Sequence, residues 1–284
     1  MRISLLSPAK LNLFLHILGK RSDGYHELQT LFQLLDYGDH IHFEASNNDS
    51  IVLLPDITDV PYQDNLIIKA ALALRAATGI HKGVKIEIDK CLPMGGGLGG
   101  GSSNAATTLI ALNQLWRTGL NTEALCEIGL NLGADVPVFI QGRSAWAEGI
   151  GEKLQAVDLP EQWFIVIKPN CHVSTADIFS REELTRDSAA ITVATFFEQG
   201  GQNDCEDVVR RHYPEVNEAL QWLQQYAPAQ LTGTGACIFA AFAQKAVAVN
   251  VLKAVPARWD CFIAKGINHS PALSDIRREQ LKEV

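Results

Sequence analysis

The sequence predicts an α+β protein, and three observations predict it. Some stretches alternate apolar with polar residues, as in Leu11 to Ile17 and Val84 to Ile88, and read as strands with two distinct faces. Others carry apolar residues three and four apart, as in Leu66 to Leu74 and Ala105 to Leu115, and read as helices. The two kinds mix along the chain in no strict β-α-β rhythm. A loop-rich stretch from Gly149 to Pro160 divides them, which predicts one domain over residues 1–155 and a second over 156–284.

In order, Lys10 stands at the start of the first strand, and a polar turn follows from Gly19 to Gly24. Gly38-Asp39 reads as another turn before a strand holding Ile41 and Phe43. Asp64 or Asn65 can cap the helix that carries Leu66, Ile67, Ala70 and Leu74. The strand Val84 to Ile88 runs into Pro93 and a run of glycines, then into the helix with Ala105, Leu109 and Leu112. Gly133 ends the next helix, and Asp135-Val136-Pro137 can start another. Ser144 to Ala147 is a strand. The second half opens with the strand Trp163 to Ile167. It continues with a helix through Val216 and Leu220, the turn Thr232 to Ala236, the strand Cys237 to Phe242, a helix from Ala246 to Leu252 and a last strand near Phe262.

At 284 residues with 47% hydrophobic and 20% charged side chains, the chain can build a sizeable core without staples. A net charge of −8 argues against a general nucleic-acid binder, yet leaves room for a locally positive site that takes a phosphorylated ligand. The six cysteines are scattered, with no spacing suited to zinc or a redox pair, and read as reduced thiols. No signal-peptide core and no apolar run long enough to span a bilayer is present, so the reading is a cytoplasmic protein.

Six of the seven residues from Gly95 to Gly101 are glycine. Such a turn lets successive N–H groups converge on phosphate oxygens, and the helix behind it aims its own free N–H groups at the same place. A flexible linker is the alternative, but Pro93 stiffens the start and a strand and a helix flank the run. A dinucleotide fingerprint is met only formally, without a βαβ unit or the later acidic residue. No Gly-Lys-Ser/Thr follows, so the lysine of any nucleoside triphosphate site must come from elsewhere.

The string from Pro93 to Asn104 resembles the second signature of the galactokinase, homoserine kinase, mevalonate kinase and phosphomevalonate kinase (GHMP) superfamily. Pro8 to Leu15 with Asp23 to His26, Gly133 to Phe139 and Leu231 to Ala240 resemble further signatures of its branch that acts on 4-diphosphocytidyl-2-C-methyl-D-erythritol. The resemblance implies the two-domain superfamily fold with the active site in the cleft between domains. It also implies phosphorylation of that substrate's 2-hydroxyl, with ATP and Mg2+, in non-mevalonate isoprenoid synthesis. No nucleic-acid or membrane partner is implied, and oligomeric state is not legible.

Carried over residue by residue, the resemblance makes Asp135 the general base and Lys10 its electrostatic partner. Asp135 also suits a helix cap, and Lys10 a solvated strand start. The ATP site would comprise Pro93, Met94, Gly95, Gly96, Gly97, Leu98, Gly99, Gly100, Gly101, Ser102, Ser103 and Asn104, with Asn65 and Lys90 toward adenosine. Either serine hydroxyl can help hold magnesium; no further acidic ligand stands out. Asn12 would meet the erythritol side of the substrate, and Tyr25 and His26 the cytosine, with Thr175 and Phe179 closing over it from the second half. Locally, Tyr25-His26 also suits surface packing, and Asn65 a simple cap. Two rivals stand: a kinase of the same superfamily with another acceptor, and a nucleotide-binding protein that has lost catalysis. An aromatic platform discriminates against an aliphatic-acid acceptor; the intact Lys10 and Asp135 speak against the second.

Overall fold

The computed structural model describes residues 2–57 and 60–282. Two long antiparallel strands, β1 (Arg2–Lys20) and β2 (His26–Ser46), form its frame and pair from Arg2↔Glu44 to Lys20↔His26. Then come β3 (Ile51–Leu54), α1 (Leu66–Thr78), β4 (Gly83–Asp89), α2 (Gly100–Trp116), α3 (Thr122–Leu130), α4 (Val136–Gln141) and the hairpin β5 (Ala145–Gly149) and β6 (Lys153–Ala156). The rest of the chain forms β7 (Trp163–Lys168), α5 (Thr175–Ser180), α6 (Val193–Gln199), α7 (Glu206–His212), α8 (Pro214–Leu223), β8 (Ala229–Leu231), β9 (Ile238–Phe242), α9 (Lys245–Ala254), β10 (Asp260–Ile267) and α10 (Pro271–Lys282). The expected α+β class is what the chain adopts. Among the described residues no helix is long and apolar enough to cross a membrane.

The strands run in the order β3-β4-β2-β10-β7-β9-β8, with β1 and β5 also on β2. The join at β10 is narrow: it pairs with β7 from Asp260 to Lys265, but meets β2 only at Gly266 and Ile267. On either side lies a separate core. Ile3, Leu5, Phe43, Leu74, Leu109 and Trp116 belong to the first, and Ile165, Val209, Leu220 and Ile238 to the second. Strand β1 threads both, because Leu15 and Ile17 enter the second core. Ala272 and Ile276 of the last helix return to the first.

Local sequence explains the elements around the glycines. Asn65 caps α1, its Oδ1 accepting from the Ile67 N–H at 2.9 Å, and Gly79 ends that helix in the left-handed region. Helix α2 is small-residue rich and buried on nearly all sides from Ser103 to Leu112, wedged against α1, α4 and β1. That burial fixes the direction of its N-terminus.

Two expectations need correction. Gly38-Asp39 is no turn: both residues lie within β2, paired with Pro8 and Ser7 of β1, and the register shifts just beside them, where Leu35 to Tyr37 of β2 stand opposite Ala9. The glycine is there because the two backbones touch; a Cβ on Gly38 would lie 2.0 Å from the Ser7 carbonyl oxygen. The stretch Gly149 to Pro160 is not all loop either, since Glu148 and Lys153 close the β5–β6 hairpin. Its second strand is mostly exposed and only four residues long, too short for the alternation of Lys153, Leu154, Gln155 and Ala156 to announce it. Gly38→Ala is expected to lower unfolding free energy by about 3 kcal/mol, as backbone clashes in a buried strand do. A denaturation curve superimposable on the parent's would mean that β1 and β2 part there without cost.

Candidate functional site

The glycine-rich run lies over a small buried cluster, in which Leu92 and Leu98 pack with Ala9, Leu11, Cys237 and Phe239. Leu98, the one interruption among the glycines, is 1% exposed and pins the loop to this cluster. Its carbonyl accepts from the Lys10 N–H at 3.0 Å, while the carbonyls of Gly95 and Gly96 accept from the N–H groups of Ala236 and Cys237. Gly97 adopts φ +76°, and a Cβ there would stand 2.1 Å from the Thr232 carbonyl oxygen. The turn from Thr232 to Ala236 is thus a brace behind the loop. A flexible linker does not fit these contacts.

In front of the loop lies a cavity of about 350 Å³. It is lined by Pro93, Met94, Gly95 to Ser102 and Asn104, together with Asn65 and Lys90. The first turn of α2 begins here, and its free N–H groups make the floor an anion site. Ser102 faces the cavity, whereas Ser103 is fully buried and its Oγ pairs with that of Ser7 at 2.8 Å. The Ser103 hydroxyl is therefore not presented to either cavity described here.

A second cavity, of about 820 Å³, opens from the other side of the same loop, and Gly97, Gly99 and Ser102 line both. Lys10, Asn12 and Asp135 stand at this shared wall. Lys10 is 3% exposed, and its ammonium meets the Asn12 Oδ1 at 2.5 Å, the Gly97 carbonyl at 3.0 Å and the Asp135 Oδ2 at 3.3 Å. Asp135 occupies the N-cap position of α4 but makes no side-chain capping bond, so its carboxylate is turned to the cavity instead. It keeps a side-chain exposure of 32%. Asn12 is held on its other side, donating from Nδ2 to the Thr30 Oγ1 at 2.9 Å.

At the far end of the larger cavity are Tyr25, His26, Thr175 and Phe179. Tyr25 is 59% exposed, while His26 is buried and stacks on Phe179 with ring centroids 4.9 Å apart. Burial pushes the His26 imidazole below its ordinary value, and the positive charges of Arg186 and Lys20 push it the same way. Thr175 at the start of α5 shares a hydrogen bond with Thr234 at 2.8 Å, which ties that helix to the brace.

Sequence reasoning missed Asp39. Its fully buried carboxylate accepts from the Cys91 and Leu92 N–H groups, from the Lys90 Nζ at 2.8 Å and from the Asn104 Nδ2 at 3.0 Å. It thereby fastens both ends of the glycine run to β2. The only signal was an acid beside Gly38, and that pair reads as a turn. Also missed were Thr232, whose hydroxyl accepts from the Asn12 N–H, and Asn203, whose amide donates to the carbonyls of Leu231 and Gly233. Among the described residues no group of three or more His, Cys, Asp or Glu gathers as a metal cage.

Two family models match: GHMP kinases N terminal domain over residues 65–143, and GHMP kinases C terminal over residues 185–261. The chain is 55% identical over 287 residues to a 4-diphosphocytidyl-2-C-methyl-D-erythritol kinase of Hahella chejuensis, with 97% of each chain covered. It is 56% identical to one of Pseudomonas aeruginosa, with 95% of each covered. Among solved structures it resembles a 4-(cytidine 5'-diphospho)-2C-methyl-D-erythritol kinase at TM-score 0.83 and 30% identity, over 94% of this chain and 100% of that one. A mevalonate kinase of Methanococcus jannaschii, at TM-score 0.69 and 16% identity over 94% and 98%, shares the fold. The chain belongs to the 4-diphosphocytidyl-2-C-methyl-D-erythritol kinase family within the GHMP kinases.

Proposed function

We propose that this kinase moves the γ-phosphate of ATP onto the 2-hydroxyl of 4-diphosphocytidyl-2-C-methyl-D-erythritol, a step of non-mevalonate isoprenoid synthesis. One observation carries the reading: two cavities of different character meet at Gly97, Gly99 and Ser102, beside Lys10 and Asp135. The smaller one, walled by backbone amides, would take the triphosphate, with Asn65 and Lys90 toward the adenosine. The larger one, ending in aromatic rings, would take the cytidine substrate, with Asn12 at the erythritol and Tyr25, His26, Phe179 and Thr175 at the base. Incubation with ATP and a panel of alcohols tests this. A phosphorylated product from the cytidine diphosphate substrate is expected, and transfer only to mevalonate, homoserine or a sugar would refute it.

In this reading the hydroxyl lies against Asp135, which accepts its proton as the new P–O bond forms. Lys10 steadies that carboxylate and offsets charge on the phosphoryl group in flight. Its own position is fixed by the Asn12 and Gly97 oxygens, so little reorganisation is needed at the moment of transfer. The Ser102 hydroxyl at the junction of the cavities fits a magnesium ion that travels with ATP: it is the side chain that would hold it, and phosphate oxygens would fill the rest of its shell. Such an ion supplies charge neutralisation between the phosphates. Division of the chain into units over residues 1–155 and 156–284 would let α5 close over the base and exclude water.

A kinase of the same superfamily with an aliphatic acceptor is the second reading. The stacked His26 and Phe179 count against it, because an aliphatic acid has no use for an aromatic platform.

Asp135→Asn is expected to lower kcat by about 10²- to 10⁴-fold with KM for ATP little changed; an unaltered kcat would remove Asp135 from the chemistry. Asp39→Asn leaves Lys90 and Asn104 facing an amide, so a rise in KM for ATP of about tenfold and a lower melting temperature are expected. Parent-like values for both would show that the glycine run holds its shape without this anchor. The lowered His26 value keeps the ring neutral through the neutral range. KM for the cytidine substrate should thus stay flat from about pH 8 to about pH 6.5 and rise only below that. A rise already complete at neutral pH would contradict a neutral His26 in binding.

A further inference from the structure

We infer that Arg186 is the positioning residue of the base-binding end: its guanidinium sets which nitrogen of His26 carries the proton and fixes that ring beneath Phe179. The inference rests on the reading that His26 and Phe179 receive the base.

Arg186 lies in the irregular segment after α5, and every one of its five N–H donors has an acceptor. Nη2 donates to the carbonyls of Phe179 at 2.9 Å and Arg181 at 2.7 Å. Nη1 donates to those of Leu184 at 3.0 Å and Glu182 at 3.5 Å. The fifth bond runs from Nε to the His26 Nε2 at 3.1 Å, across 160 residues of chain. One planar group thus gathers the backbone following Phe179 and joins it to the ring on which Phe179 stacks. A fork of fixed geometry can do this, and an ammonium on a flexible stem cannot.

The consequence is chemical. A guanidinium N–H only donates, so the His26 Nε2 must accept, and a neutral imidazole that accepts at Nε2 carries its proton on Nδ1. Among the described residues Nδ1 has no protein partner, and the ring lines the larger cavity. The groups that act on the ring electrostatically are Arg186 and Lys20, both positive, so neither favours a second proton. The cavity is therefore offered a fixed donor. Such a donor suits N3 of cytosine, an acceptor, and is mismatched with the N3–H of uracil.

The test uses the full-length enzyme with 15N-labelled histidine. Long-range 1H–15N spectra of the parent should show His26 with Nδ1 protonated and Nε2 bare, and Arg186→Gln should shift the population toward a proton on Nε2. In kinetics, Arg186→Gln should raise KM for the cytidine diphosphate substrate about tenfold, with kcat and KM for ATP within about twofold of the parent. It should also narrow the preference for that substrate over its uridine analogue, and Arg186→Lys should not restore any of this. A parent His26 protonated at Nε2 overturns the inference even if the variants fail to fold. So does a parent-like KM in Arg186→Gln while His26→Ala raises it. If His26→Ala and Phe179→Ala leave KM unchanged as well, the base-site reading itself falls, and the role of Arg186 falls with it.

Discussion

The ammonium of Lys10 is the constraint on which the site depends. A charge buried to this degree is costly unless paired and fully hydrogen-bonded. Lys10 has three N–H donors and three acceptors: an amide on its own strand, a carbonyl in the glycine run and a carboxylate at the head of α4. Each acceptor comes from a different part of the chain, so one buried charge holds β1, the loop and α4 in register. Its stem also lies against Gly99, where a Cβ would come within 3.1 Å of the Lys10 Cε. The loop must be bare of side chains there for the ammonium to reach the shared wall of the two cavities.

Rigidity behind the loop comes from apolar packing and backbone pairing more than from charge. Leu92 and Leu98 sink into the small cluster that also contains Phe164 and Phe239 of the second half. The Thr232 to Ala236 turn is itself held by Asn203 and by the Thr234–Thr175 bond. Loop, brace and α5 are therefore mechanically connected. A ligand that shifts α5 at one end of the larger cavity acts on the turn that supports the glycines at the other.

Much of this was legible in the sequence because each signal was local. The period-two run in β1, the Asn65 cap and the glycines between a strand and a helix state their own roles. Gly38-Asp39 was misread for a physical reason. A glycine required by the close approach of a distant strand looks the same in sequence as one required by a turn, and only the paired strand reveals the difference. Asp39 went unnoticed with it, since its four donors come from residues 90 to 104. Ser102 and Ser103 are indistinguishable as neighbours in sequence. The helix turns one toward the cavities and the other toward Ser7. The aromatic end of the larger cavity is assembled from both halves, so no local pattern could set Phe179 on His26.

The position of Asp135 at a helix start bears on the chemistry proposed for it. An aspartate ahead of Val-Pro is well suited to cap a helix, and the usual reward for doing so is about 1 kcal/mol. Here the carboxylate forgoes that bond. Pro137 in the first turn removes one N–H that would otherwise need a partner, which lowers the demand for a cap. Its Oδ2 lies 3.3 Å from the Lys10 ammonium instead, and the residue lines the larger cavity. A carboxylate so placed is anchored by its backbone at a helix start and by one ammonium, yet still a third exposed. That combination, firm in position and open to a ligand, suits the proton-accepting role proposed for it.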